Sequence, residues 1–326
     1  MKSVVLFPLA ALSACAATAA PPVPSLSPKH EENVSSVSAV PTAARNDEDD
    51  TAPRTDGPAA KVTQTVLEGT QFQGGLLRGQ TPPGSKVFLD DTEVLVDEGG
   101  HFLIGFDRDH PATAVLKVVS PDGKEERETI QVRPQQWLES SVTVAENKAN
   151  PRTDFDLKKI AADKKLKDKA RSQMSGSVYW LSGFVWPAEG CVSSPFGYRR
   201  IVNGKARNYH SGVDVAAPDG MSPIDYIGTP IYAPADGIVT LAEPDMFFEG
   251  GLVLIDHGQL LESAMMHMSE VLVEAGDTVE QGDLLGKVGM EGRVTGPHLH
   301  WSLKWRDRLL DPELNVEERA RCTPGL

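Results

Sequence analysis

Two short stretches of the sequence hold residues whose types and spacing could do chemistry. TGPHLHW (295–301) sets His298 and His300 one residue apart, and HSGVDV (210–215) sets His210 four residues before Asp214. On a strand, residues i and i+2 project to one face. His298 and His300 are therefore expected to point together, with Leu299 and Trp301 on the opposite side. Two adjacent imidazoles make poor core filler, because each buried polar ring must find a partner. Val213 and Val215 alternate around Asp214 and favour a strand there, on which a spacing of four would return His210 to the face of Asp214. Neutral imidazoles and a carboxylate are good zinc ligands, and three protein ligands with an open position mark a catalytic rather than a structural zinc. The stretches thus offer a His/Asp/His set with a fourth imidazole close by. His267, in SAMMHMSEVLV, is expected at a boundary between a strand and a loop, as a catalytic group beside the ligands. His257, in IDHGQL, reads as a turn or edge residue.

The elements that must position these residues read as mainly β. From 178 to 316, GLVLIDHG, EVLVEAGDTV, GDLLGKVG and HLHWSLKW are strand patterns separated by glycine-containing turns, which predicts an all-β domain of antiparallel sheets followed by a tail at 317–326. From 62 to 134, runs such as KVFLDD, TEVLVD and HFLIGF between TPPGS, DEGG and SPDGK predict about seven short strands in a small β-sandwich-like domain. No catalytic constellation lies in it, and His101 and His110 read as surface residues. Residues 135–177 read as a helical linker, a weakly amphipathic and lysine-rich helix expected to be a solvated connector.

The beginning of the chain and its charge bound the setting. MKSVVLFPLAALSAC has one lysine and an apolar run too short to span a bilayer, so 1–15 reads as a secretory signal. Leu12-Ser13-Ala14-Cys15 resembles a bacterial lipobox, which would make Cys15 the lipid-modified N-terminus of a membrane-anchored lipoprotein. Residues 16–61, rich in Ala, Pro, Ser and Asp, cannot bury a core and read as a disordered tether. Export to an oxidising compartment would allow Cys191 and Cys322 to pair, and two unpaired thiols are the alternative. A net charge of -14 sets nucleic-acid partners aside.

The stretches SSPFGYRR, HSGVDVAAP, TPIYAPADGIVTLA, GGLVLIDHG, HMSEVLVEAGDTVEQGDLLGKVG and GRVTGPHLHWSL together resemble the lysostaphin/LytM family of zinc endopeptidases. The resemblance covers about Phe184 to Pro312. It implies a LytM-type peptidase domain with one zinc ion held by His210, Asp214 and His300, and His298 and His267 as catalytic histidines that do not bind the metal. It further implies hydrolysis of peptide crosslinks in peptidoglycan stem peptides, as a DD-endopeptidase in a Gram-negative periplasm. Some relatives lack the ligands and activate cell-wall amidases, so a non-enzymatic activator with an amidase partner is the alternative; the intact ligand set argues against it. Arg199 and Arg200 could face substrate carboxylates or serve as exposed pairing residues. An extra loop at 219–228 (DGMSPIDYIG) is expected to wall the groove, and Met265 and Met266 stand where the family usually has an aromatic residue.

Overall fold

The computed structural model describes residues 62–142, 153–202, 204–206 and 208–323. Cys15, the signal at 1–15 and the tether at 16–61 lie outside the described residues. Among the described residues, no helix is long and apolar enough to cross a membrane.

Residues 66–131 form the seven strands β1 (Val66–Gly69), β2 (Leu76–Gln80), β3 (Lys86–Leu89), β4 (Thr92–Val94), β5 (His101–Gly105), β6 (Thr113–Val119) and β7 (Glu125–Gln131). They make two antiparallel sheets, ordered β1-β2-β5 and β4-β3-β6-β7. Val87 and Leu89 of one sheet, and Leu76, Leu77, Phe102 and Ile104 of the other, are buried in a common core. His110, expected at the surface, is instead buried against the Phe106 ring, with centroids 4.9 Å apart.

The connecting segment differs from the expected helical linker. Its first part is a strand, β8 (Glu139–Val142), paired in parallel with β10 (Arg199–Val202), which also pairs with β11 (Lys205–Ala206). Its second part is the helix α1 (Asp154–Arg171), opened by a capping box between Thr153 and Asp156. The helix is docked rather than a solvated connector. Arg171 holds the buried Glu262 carboxylate at 2.8 Å, Lys167 pairs with Glu249, and the buried Asp163 accepts the Phe247 amide at 2.7 Å. Ala170 packs on Leu252, Leu254 and Ala264. Few apolar residues are needed where paired charges make the contact, and for that reason periodicity did not reveal it.

The remaining strands are β9 (Cys191–Ser194), β12 (Val213–Ala216), β13 (Pro230–Tyr232), β14 (Gly237–Met246), β15 (Gly250–Asp256), β16 (Leu261–Val271), β17 (Thr278–Val279), β18 (Leu284–Val288), β19 (Leu299–Trp305) and β20 (Arg308–Leu310). They form one antiparallel sheet whose main path runs β17-β14-β15-β16-β19-β12-β9. Odd-numbered positions of HLHWSLKW and VDVA (Leu299, Trp301, Leu303, Val213, Val215) are fully buried in the main core. The even-numbered positions Asp214 and His300 line a cleft on the other face. Cys191 and Cys322 form a disulfide across 131 residues of sequence, and the tail runs beside β9 through Val192–Ala320 and Cys322–Val192 backbone bonds.

Candidate metal centre and cleft

The site is assembled across three neighbouring strands. Asp214 on β12 lies directly opposite His300 on β19, which in turn lies opposite Met266 on β16. Cross-strand partners sit about 5 Å apart at Cβ, so Asp214 and His300 are brought together by register alone. His210 arrives differently. It precedes β12, in the loop that crosses over β19, so the expected sharing of a strand face does not apply. Gly212 makes the crossing possible, since a Cβ there would lie 2.2 Å from the Trp301 carbonyl oxygen and 2.8 Å from His300 Nε2. His298 precedes β19 and is bridged to Gly289.

The donor atoms converge. His210 Nε2 lies 3.0 Å from Asp214 Oδ1 and 3.0 Å from His300 Nδ1, and His300 Nδ1 lies 2.9 Å from Asp214 Oδ1. Ligand atoms about 2.1 Å from one tetrahedral ion are separated by roughly 3.4 Å, so two imidazoles and a carboxylate at these separations suit such an ion. The outward nitrogens are fixed as well. His210 Nδ1 donates to Pro195 O at 2.8 Å, and His300 Nε2 lies 3.4 Å from Ser211 Oγ. Such outer contacts set the tautomer that faces a metal. Burial pushes the Asp214 carboxyl upward, but its close contacts with His210 and His300 outweigh that and hold the group well below the usual carboxylate range. Burial lowers the His300 pKa despite the neighbouring Asp214. An ionised carboxylate beside a neutral imidazole is the protonation state that a metal requires.

Two further histidines border the set. His298 donates from Nδ1 to Gly296 O at 2.8 Å, and its Nε2 lies 3.6 Å from Asp214 Oδ1. His267 donates from Nδ1 to Glu291 O at 2.9 Å, and its ring lies 4.9 Å from that of His298. Contrary to expectation, His267 does not sit where a strand gives way to a loop. It lies within β16, at φ 67. Before it the strand pairs with β19 as far as Met266↔His300, and after it with β18 from Met268↔Val288. The left-handed residue turns the strand between partners, and Met266 and His267 consequently both line the cleft. Burial, and then the charges of His298 and His300, lower the His267 pKa to about 4.

The cleft has a volume of about 1080 Å³. Its walls include Tyr198, Tyr209, Phe248 and Arg293, none of which the sequence reading singled out. Arg293 stacks over the Phe248 ring at 4.6 Å, and its amide donates to Phe248 O. The turn bearing Phe248 is the one that α1 grips through Asp163 and Lys167, and Glu249 O of that turn accepts the His267 amide at 2.8 Å. Arg199 lines the cleft but also approaches Asp109 at 3.5 Å and Glu139 at 3.8 Å; the side chain of Arg200 lies outside the described residues. The loop at 219–228 does not wall the groove. None of its residues lines the cleft, and its Tyr226 is buried and donates to Glu189 O. His257 lies in the turn between β15 and β16, as expected, but not at an exposed edge. It is fully buried, donates from Nδ1 to Asp236 O at 2.7 Å and accepts from Ser263 Oγ at 2.8 Å, and burial lowers its pKa to about 4. Ser263 also accepts the Trp301 indole N–H, so this network braces the back of β19.

Comparison with known proteins agrees with the fold. Residues 208–312 match the model of peptidase family M23. A crystal structure described as a putative peptidase M23 from Pseudomonas aeruginosa is 30% identical, with a TM-score of 0.54, covering 75% of this chain and 94% of that one. The chain belongs to peptidase family M23. It is also similar to the peptidoglycan DD-endopeptidase ShyA of Vibrio cholerae, 38% identical over 118 residues that make up 36% of this chain and 25% of that protein. The DD-carboxypeptidase/endopeptidase Mpg of Neisseria meningitidis serogroup B is 36% identical over 121 residues, 37% of this chain and 26% of that protein. The matched segment therefore spans about a quarter of the length of these curated relatives.

Proposed function

We propose that this chain is a zinc endopeptidase of the bacterial envelope that hydrolyses peptide crosslinks of peptidoglycan, with a D-alanyl–diaminopimelate bond as the bond cut. The observation that carries the proposal is the convergence of His210 Nε2, Asp214 Oδ1 and His300 Nδ1 in a cleft that also presents His298 and His267. The substrate follows from similarity to proteins named as peptidoglycan DD-endopeptidases. Zinc, when bound, supplies a Lewis acid that polarises the scissile carbonyl and acidifies water. His298 Nε2, oriented by the Nδ1 bond to Gly296 O, takes the proton of the attacking water. His267, held by its Nδ1 bond to Glu291 O, stabilises the developing oxyanion through Nε2 in its protonated form, once it has taken up a proton released in the attack. Arg293 and Arg199 offer guanidinium groups to the carboxylates of the stem peptides. Export and anchoring through Cys15 would deliver the enzyme to that substrate.

The test is incubation of the purified protein, loaded with zinc, with crosslinked peptidoglycan. Crosslinked muropeptides should disappear, and both a chelator and His298→Ala should prevent this. Intact crosslinks together with stimulation of a cell-wall amidase would instead establish the activator reading.

A further inference from the structure

A second cavity, of about 380 Å³, lies where the N-terminal sheets meet the peptidase sheet and shares no lining residue with the cleft. Leu89 and Val94 form one side and Leu260 and Trp305 the other, with Arg306 and Arg308 at its edge. Both guanidinium groups are held in place. Arg306 Nη2 donates to Glu93 O at 2.7 Å, and Arg308 Nη1 donates to Gly105 O at 2.8 Å. Their Cζ atoms lie 5.2 and 5.7 Å from the Trp305 ring centroid. Neither has a carboxylate within 4.0 Å among the described residues, although Asp307 also lines the cavity, whereas Arg108, Arg171 and Arg199 do have such partners. The two guanidinium groups thus stand side by side at the cavity, with Asp307 between them in the chain. Arg306 Nε is in addition buried with no hydrogen-bond partner, a state that calls for a specific explanation.

The backbone points the same way. Arg306 opens the two-residue turn between β19 and β20 at φ 57, a conformation that glycine adopts without strain and arginine does not. The turn is fastened by the Arg306 amide to Leu260 O at 2.9 Å.

We propose that this cavity binds the terminal carboxylate of a short peptide ending in a small aliphatic residue. The planar guanidinium groups of Arg306 and Arg308 match a carboxylate, and Leu260, with Val94 beside it, accepts the alkyl group. The ligand would touch both domains at once and so tie the N-terminal sheets to the peptidase sheet.

Titration calorimetry on the full chain with acetyl-alanyl-alanine, its C-terminal amide and inorganic phosphate tests this. The free acid should bind at least tenfold more tightly than the amide. Arg306→Gly and Arg308→Gln should each lower the affinity for the acid to that for the amide. Arg306→Gly should melt at the same temperature as the parent or higher, because glycine relieves the turn. Equal binding of acid and amide, unchanged binding by Arg306→Gly, or binding of phosphate but not the dipeptide would overturn the proposal. So would a lower melting temperature of Arg306→Gly, which would assign Arg306 a structural role.

Discussion

His298 and His300 are two positions apart, yet their partners separate their tasks. His300 Nδ1 sits 2.9 Å from Asp214 Oδ1 and 3.0 Å from His210 Nε2, whereas His298 Nε2 stands 3.6 Å from the same carboxylate oxygen. His300→Ala should therefore lose stoichiometric zinc by elemental analysis. His298→Ala should keep the metal and lose about 10²–10⁴ in kcat. A His298→Ala protein without zinc, or a His300→Ala protein with it, would reverse these assignments. His267 carries a further constraint, the left-handed backbone at φ 67. Asparagine tolerates that region better than alanine does, so His267→Asn isolates the imidazole from the strain. It should reduce kcat by about 10²–10³ with zinc content and melting temperature unchanged; equal kcat in the two proteins would remove His267 from the reaction. The residues of the site were legible because alternation in HLHW and VDV reports which side chains share a face. Phe248 and Arg293 were not, since nothing in FEG or GRVT announces that two distant turns meet beside the histidines.

Strands and turns place these groups, and there the sequence was informative only where a local rule governs the geometry. Register puts Asp214 against His300 across β12 and β19. The path of His210 depends instead on contact between segments 90 residues apart, and its only trace in the sequence is the glycine of HSGVD. Gly212→Ala tests that contact. Its Cβ would meet backbone of β19 at 2.2 Å, an obstacle that no side-chain rotation removes. The loop must lift, and His210 Nε2 must leave the other two donors. Zinc affinity should fall by about 10–100-fold and stability by roughly 1–3 kcal/mol, read by competition with a chelating dye and by denaturant melts. Unaltered zinc affinity would mean that the loop can hold His210 from another path. The helix α1 was recognised as a helix but not as a docked one, because ion pairs such as Arg171–Glu262 leave no hydrophobic stripe to detect. His257 does lie in the expected turn, but its burial was not legible. IDHGQL has the composition of a turn, yet the ring of Phe184 lies 5.2 Å away and the backbone N–H of Trp180 bonds to His257 O, closing it from water.

The two β domains meet on a single core that runs from Phe102 and Ile104 to Trp305 and Leu310. Composition and turn spacing suggested two separate β domains but could not reveal this shared core, since each segment looks self-sufficient in sequence. At the junction lies one buried carboxyl. Asp311 donates its backbone N–H to Gly74 O at 2.8 Å, and its side chain accepts the Glu313 amide at 3.1 Å. Burial, with the neighbouring charge of Glu313, raises its pKa to about 7, against a lesser pull from the Glu313 amide, Arg321 and Gln135. The sign follows from proton counting. Between the unfolded value of 3.8 and about 7, the folded protein holds a proton that the unfolded chain has released. Asp311 therefore costs stability as pH rises through that window, and the cost is complete above pH 7. Asp311→Asn, which can still accept the Glu313 amide, should leave stability unchanged near pH 4 and raise it by about 2–4 kcal/mol at pH 8. Denaturant melts of the two proteins across this range should diverge steadily with pH. Parallel curves would mean that Asp311 titrates as an ordinary carboxyl and that the junction admits water.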